Sequence, residues 1–109
     1  MINRLLIICL LVSPAYSQTN PRRPKIVGVA HIGLRTDNLA AARKFYTGIL
    51  GFAEPFSLDN PHGSGLLLTY FKVNDHQFIE VFPELNDPKQ DRLSHISFET
   101  TQAEQLRAY

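Results

Sequence analysis

From Lys25 onward the chain is a series of period-two apolar runs with one stretch of helical spacing set among them. Residues 25–36 (KIVGVAHIGLRT) put Ile26, Gly28, Ala30, Ile32 and Leu34 on one row and Val27, Val29, His31, Gly33 and Arg35 on the other. Both rows are largely apolar or small, which predicts a strand covered on both faces. Asp37 or Asn38 then stands where a helix cap belongs, and Leu39, Ala42, Tyr46 and Ile49 recur at helical spacing beside Phe45. Gly51 falls where a left-handed residue would end that helix. Residues 52–58 (FAEPFSL) alternate again, but Pro55 has no N–H to donate, so an edge or irregular strand is expected. Residues 60–65 (NPHGSG) read as a loop. Residues 66–73 and 77–82 are β-rich and joined by Asn74, Asp75 and His76, the pattern of a hairpin. The order so far is β-α-β-β-β.

Residues 84–91 interrupt this pattern with a proline and three carboxylates, and residues 92–99 (RLSHISFE) start another alternating strand. Thr101 with Glu104 three residues later has capping-box spacing, ahead of an apolar stripe begun by Ala103 and Leu106. Sliding the sequence on itself by 64 positions brings His31 onto His95, Ile32 onto Ile96, Thr36 onto Thr100 and Arg43 onto Arg107, with Leu34 over Phe98 and Phe45 over Tyr109. Strand, cap and helix coincide in register. The expected organisation is a first module over residues 25–83, a linker over 84–91 and the start of a second module over 92–109. A full second copy needs three more strands, so the chain is read as a piece of a longer protein. The counterpart of Glu80 would then lie about 35 residues past Tyr109.

The first seventeen residues read differently, as an export signal. Arg4 supplies the positive start, Leu5 to Val12 is an unbroken apolar run, Pro14 breaks it, and Ala15 and Ser17 are small residues at the positions a signal peptidase inspects. Cleavage before Gln18 is expected, giving a periplasmic or secreted protein. The apolar run is eight residues, against the roughly 20 a spanning helix needs, so no stable membrane anchor is expected. Residues 18–24 (QTNPRRP) carry no apolar side chain but proline and are expected to be an extended lead-in outside the core.

Composition narrows the chemistry. Of the 109 residues 44% are hydrophobic and 19% charged, an ordinary globular balance with room for one domain. Eleven basic residues are scattered against ten acidic ones, which argues against nucleic acid as a partner. The single cysteine, Cys9, lies inside the signal. The mature chain therefore has no thiol, and any metal must be held by nitrogen and oxygen. No Ser/His/Asp order, phosphate-cradling glycine loop or Cys/His pair is present, so nucleophilic catalysis has no candidate.

Three polar residues interrupt apolar strands. His31 faces with Val29 and Arg35, Glu80 with Phe78 and Phe82, and His95 with Leu93 and Ser97. A carboxylate between two phenylalanines is costly to desolvate, so Glu80 requires a cation, a hydrogen-bond donor or a metal. Any one of the three taken alone reads more simply as a satisfied core or rim side chain. The repeat changes that balance, because two histidines at equivalent places in a pseudo-symmetric pair both lie near the axis. Two imidazoles and a carboxylate at one point make a site for iron, zinc, nickel or manganese.

The residues that carry this pattern also resemble a known family. Val29-Ala30-His31-Ile32-Gly33-Leu34, Asp37-Asn38-Leu39, Ala42-Arg43-Lys44-Phe45-Tyr46 and Leu50-Gly51-Phe52 are similar to the opening of the vicinal oxygen chelate superfamily, which includes glyoxalase I, extradiol dioxygenases and bleomycin- or fosfomycin-resistance proteins. Phe78-Ile79-Glu80-Val81-Phe82 resembles its fourth-strand ligand segment and Leu93-Ser94-His95-Ile96-Ser97-Phe98 its entry into the second module. The resemblance implies an α+β fold of paired β-α-β-β-β modules forming a curved mixed sheet around a divalent metal. It places His31, Glu80 and His95 at three ligand positions, with a fourth, a Glu, beyond this sequence. It also makes Glu80 the candidate catalytic carboxylate of a glyoxalase-like lyase or isomerase, with a dioxygenase as the other enzymatic reading. The substrate would be a small molecule chelated through neighbouring oxygens, and a homodimer or a second domain of this family is the expected protein partner. The rival reading is a metal-free module that sequesters a ligand, with Tyr70, Phe71, Phe78 and Phe82 lining the cavity. His62 and His76 are expected on the surface, and Arg43 and Lys44 on the solvated side of the first helix.

Overall fold

The computed structural model describes residues 22–109, so the expected signal and residues 18–21 of the lead-in lie outside the described residues. Eight elements follow in order: β1 (Ile26–Arg35), α1 (Leu39–Arg43), a π-helical turn (Lys44–Ile49), β2 (Ala53–Asp59), β3 (Leu66–Lys72), β4 (Phe78–Phe82), β5 (Leu93–Thr100) and α2 (Ala103–Ala108). The five strands form one mixed sheet in the order β2-β3-β4-β1-β5. β1 runs parallel to β4, and the other three pairings are antiparallel. This is the expected α+β architecture, with β1 between the end of the first module and β5.

Local chemistry explains most of the boundaries. Asn38 caps α1, its side-chain oxygen accepting the Ala41 N–H at 2.9 Å. Asp37, the other candidate cap, instead lies 3.6 Å from Arg92. The helical spacing continues to Ile49 as predicted, but its second half is a π turn. The Thr47 hydroxyl donates to the Arg43 carbonyl, and the Leu50 N–H reaches back five residues to Phe45. A threonine that takes a backbone acceptor inside a helix favours such a widening. Gly51 then stops the helix at a φ of 72°, a conformation that penalises a Cβ.

The core lies between the α1 face of the sheet and the helical turn. Phe71 is fully buried and stacks on Tyr46 with ring centroids 4.8 Å apart, and Val81 and Thr69 are buried on the same face, while Leu68 is buried on the Tyr70 side of β3. Phe71 is therefore core and not a cavity-lining residue. Arg43 also departs from expectation: its guanidinium grips both oxygens of Glu54 on β2 at 2.8 to 3.0 Å, and Glu54 accepts the Thr69 hydroxyl at 2.7 Å. That pair ties the helix to the edge strand, while Lys44 remains solvated. β1 is less covered than its two apolar rows suggest, since Ile26 and Val27 are exposed and most of the strand is half-buried. On β5, Ile96 and Phe98 are exposed.

Two smaller expectations fail. Pro24 of the lead-in is buried. The capping box at Thr101 does not form: Gln102 is the cap residue, Thr100 accepts its N–H at 3.2 Å, and Glu104 pairs with Arg107. The hydroxyl one position earlier reaches the backbone first. Among the described residues no helix is long and apolar enough to cross a membrane.

Candidate metal centre

His31 comes from the middle of β1, Glu80 from the middle of β4 and His95 from β5. Strand pairing brings them together. β1 and β4 set His31 beside Phe78 and Gly33 beside Glu80; β1 and β5 set His31 opposite Ser97 and Gly33 opposite His95. All three side chains rise from the face opposite α1. The two Nε2 atoms are 2.8 Å apart, His95 Nε2 is 3.0 Å from Glu80 Oε2, and His31 Nε2 is 3.4 Å from it. One ligating atom from each residue lies within 4.8 Å of the others.

The space for this convergence is made by Gly33. A Cβ there would stand 2.5 Å from Cε1 and 2.7 Å from Nδ1 of His95, closer than nonbonded atoms allow. Ser94 holds the far nitrogen of His95, its Oγ 3.2 Å from Nδ1, which leaves Nε2 aimed at the centre. Ser97 Oγ lies 2.9 Å from His31 Nε2.

Glu80 is 4% exposed and its two oxygens are treated differently. Oε1 accepts the Tyr70 hydroxyl, whereas Oε2 is buried and has no hydrogen-bond partner. A buried carboxylate oxygen left without a donor carries a desolvation penalty, unless a cation meets it. Around His31 Nε2 the crowding is similar. Three polar atoms approach a nitrogen that, in neutral imidazole, has either one hydrogen or one lone pair. A divalent ion with N and O ligands at about 2.0–2.2 Å needs its donors about 3 Å apart or a little more. The observed spacings of 2.8, 3.0 and 3.4 Å meet that requirement. The donor set, two imidazoles and a carboxylate, suits a borderline divalent metal and no softer one.

An aromatic wall adjoins the donors. Tyr70 sits edge-on to His31 with centroids 6.0 Å apart and lies 4.6 Å from Phe56, which in turn is 6.2 Å from Phe78. Phe82 contacts His95 on the other side at 6.1 Å. Of the four aromatics expected to line a cavity, Tyr70, Phe78 and Phe82 lie on the donors' face of the sheet. Phe56, 51% exposed, joins them from β2, where Pro55 masks the alternation that would place it. Burial first, then the Glu80 carboxylate, pushes the Tyr70 phenol up to about 12. His62 and His76 are exposed and take no part. An apolar cavity of about 480 Å³ between α1 and the sheet, lined by Leu34, Ala42, Phe45, Tyr46 and Val81, opens on the opposite face.

A solved structure of a hypothetical protein from Bacillus halodurans C-125 is similar at 18% identity and a TM-score of 0.49, over 64% of this chain and 56% of that one. The chain thus spans little more than half of that protein. No curated protein is significantly similar in sequence. The model of the Glyoxalase/Bleomycin resistance protein/Dioxygenase superfamily matches residues 28–109, the sheet and all three donors, and the chain belongs to that superfamily.

Proposed function

We propose that the protein binds a divalent metal through His31, Glu80 and His95 and uses it on a small substrate with two neighbouring oxygens, as a glyoxalase-like lyase or isomerase or as a dioxygenase. The observation that carries this reading is the buried, unpartnered Oε2 of Glu80 facing two imidazole nitrogens at 3.0 and 3.4 Å. When bound, the metal would act as a Lewis acid that polarises the chelated oxygens. Glu80 is the only carboxylate in this cluster among the described residues, and in a lyase or isomerase it would also hold the proton taken from the substrate. Oε2 would serve one role or the other at a given moment, since Oε1 carries the Tyr70 hydroxyl. Phe56, Tyr70 and Phe78 would cover the apolar part of the substrate and keep water from it.

The test is metal content by elemental mass spectrometry of protein purified without chelator, beside a His31→Ala/His95→Ala double variant. About one equivalent in the wild type and none in the variant is expected. A folded wild type that neither carries nor takes up metal would exclude the enzyme reading. It would leave the second one, a ligand-sequestering module, which the aromatic wall of exposed Phe56 and half-buried Tyr70 and Phe78 favours. We also propose export after cleavage before Gln18, on the pattern of residues 1–17; N-terminal sequencing of protein recovered from its native cells would check it.

A further inference from the structure

We infer that Tyr70 is a positioning residue that makes Glu80 a one-oxygen ligand. The inference rests on the metal reading above and concerns how the carboxylate is presented.

The geometry begins with the β3–β4 hairpin. Tyr70 pairs directly with Glu80 across it, so the two side chains leave the same face side by side. The phenol hydroxyl donates to Oε1. Phe56 and Phe78 pack on the Tyr70 ring at 4.6 and 6.1 Å, one tilted and one edge-on, which fixes the direction of the hydroxyl. The result is an asymmetric carboxylate, with one oxygen satisfied by the phenol and the other buried, unpartnered and turned to the histidines.

That asymmetry has a chemical consequence. A free carboxylate can rotate and offer both oxygens to one ion, and large hard cations such as calcium favour this. With Oε1 held, Glu80 supplies one oxygen. The site then favours a small borderline ion and keeps a coordination position free for a substrate oxygen. Ser94 and Ser97, the other hydroxyls at the site, touch the histidines and not Glu80, so the carboxylate depends on Tyr70.

The experiment compares the wild type, Tyr70→Phe and Tyr46→Phe, each stripped of metal and titrated with Zn(II), Ca(II) and Co(II). Tyr70→Phe keeps the ring and removes only the hydroxyl; Tyr46→Phe removes a phenol hydroxyl from the opposite face as a control. In Tyr70→Phe zinc affinity is expected to fall by about ten- to a hundred-fold, the typical effect of losing a ligand's hydrogen-bond partner. The Co(II) d–d absorption should also weaken, reporting a higher coordination number, and the preference for zinc over calcium should narrow. Tyr46→Phe should match the wild type in all three, with thermal melts confirming that both variants are folded. A wild type that binds metal while Tyr70→Phe shows the same affinity, spectrum and zinc-to-calcium ratio would overturn the inference and leave the metal reading intact. A wild type that binds no metal would overturn both.

Discussion

Ile32 on β1 pairs directly with Ile96 on β5, and the two are each other's counterparts in the 64-residue repeat. The local two-fold axis of the repeat therefore passes through this pair. One step to either side, His31 meets Ser97 and Gly33 meets His95, so each histidine faces the residue that stands at the other's glycine position. The symmetry brings the two Nε2 atoms within 2.8 Å, but it is not perfect. At the position equivalent to Gly33 the second copy has Ser97, whose hydroxyl reaches His31 Nε2 at 2.9 Å.

The asymmetry makes Gly33 the more sensitive of the two positions. In Gly33→Ala the new methyl group would occupy space now filled by the His95 ring at 2.5 to 2.7 Å. Since the imidazole is a side chain on an edge strand, it can swing away. The expected outcome is a folded protein destabilised by about 1–3 kcal/mol, in line with other overpacked sites, with metal binding lost. Urea denaturation and metal titration of the variant check this, and unchanged metal affinity would show that His95 is not held where the structure puts it.

Much of the site is legible in the sequence. The repeat puts His31 and His95 near one axis, and period-two alternation gives the row-mates of His31, Glu80 and His95 on each strand, while the shared face comes from the strand register. The hairpin expected at Asn74 to His76 forms, and its register sets Tyr70 opposite Glu80. Alternation also separates Tyr70 from Phe71, but it does not say which of the two faces the helix. Only the stacking on Tyr46 shows which face of β3 the helix covers. The Arg43–Glu54 pair was hidden for another reason: it joins a helix to an edge strand, and no local pattern encodes that distance. The π turn depends on where one hydroxyl, Thr47, finds its acceptor, a choice that helical spacing does not reveal.

Phe71 should be among the most costly core positions. It is fully buried and its ring is stacked against Tyr46 at an interplanar angle of 27°. Phe71→Ala would lose the buried ring and leave a cavity, a change that costs about 3–5 kcal/mol in other cores. In a domain of this size that is a large share of the total stability. Equilibrium denaturation should show the loss, and a cost under about 1 kcal/mol would mean that the helix does not pack on this face as described.

Acid should loosen the link between α1 and β2. The hydrogen bond from Arg43, helped by the Thr69 hydroxyl, holds the Glu54 carboxyl below its ordinary value against the opposing effect of burial. A depressed folded pKa means that the stabilisation is fully present above the unfolded value of about 4.3 and is lost as pH falls through the folded one. The Arg43 side chain is 43% exposed, so solvent screening limits the pair to about 1 kcal/mol despite its two-pronged geometry. Stability measured from neutral pH down to about pH 3 should therefore fall less steeply in Glu54→Gln than in the wild type. Parallel curves would show that the pair contributes nothing.

At the alkaline end the slope is reversed, and stability falls as pH rises. The Tyr70 phenol is pushed up to about 12, by burial first and then by the Glu80 carboxylate beside it. In the unfolded chain a tyrosine titrates near 10, so above that pH the unfolded state loses its proton first while the folded state keeps it. Folding is then opposed increasingly as pH rises: the contribution of Tyr70 is complete below about pH 10 and is lost by about pH 12. Tyr46, raised by burial alone, adds to the same trend and remains in a Tyr70→Phe variant. Metal-free wild type should therefore lose stability more steeply than Tyr70→Phe across this window. Its phenolate absorbance should show a late-titrating tyrosine that the variant lacks. If the absorbance curves superimpose after allowance for one fewer tyrosine of ordinary pKa, the Tyr70 hydroxyl is not held against Glu80 in solution.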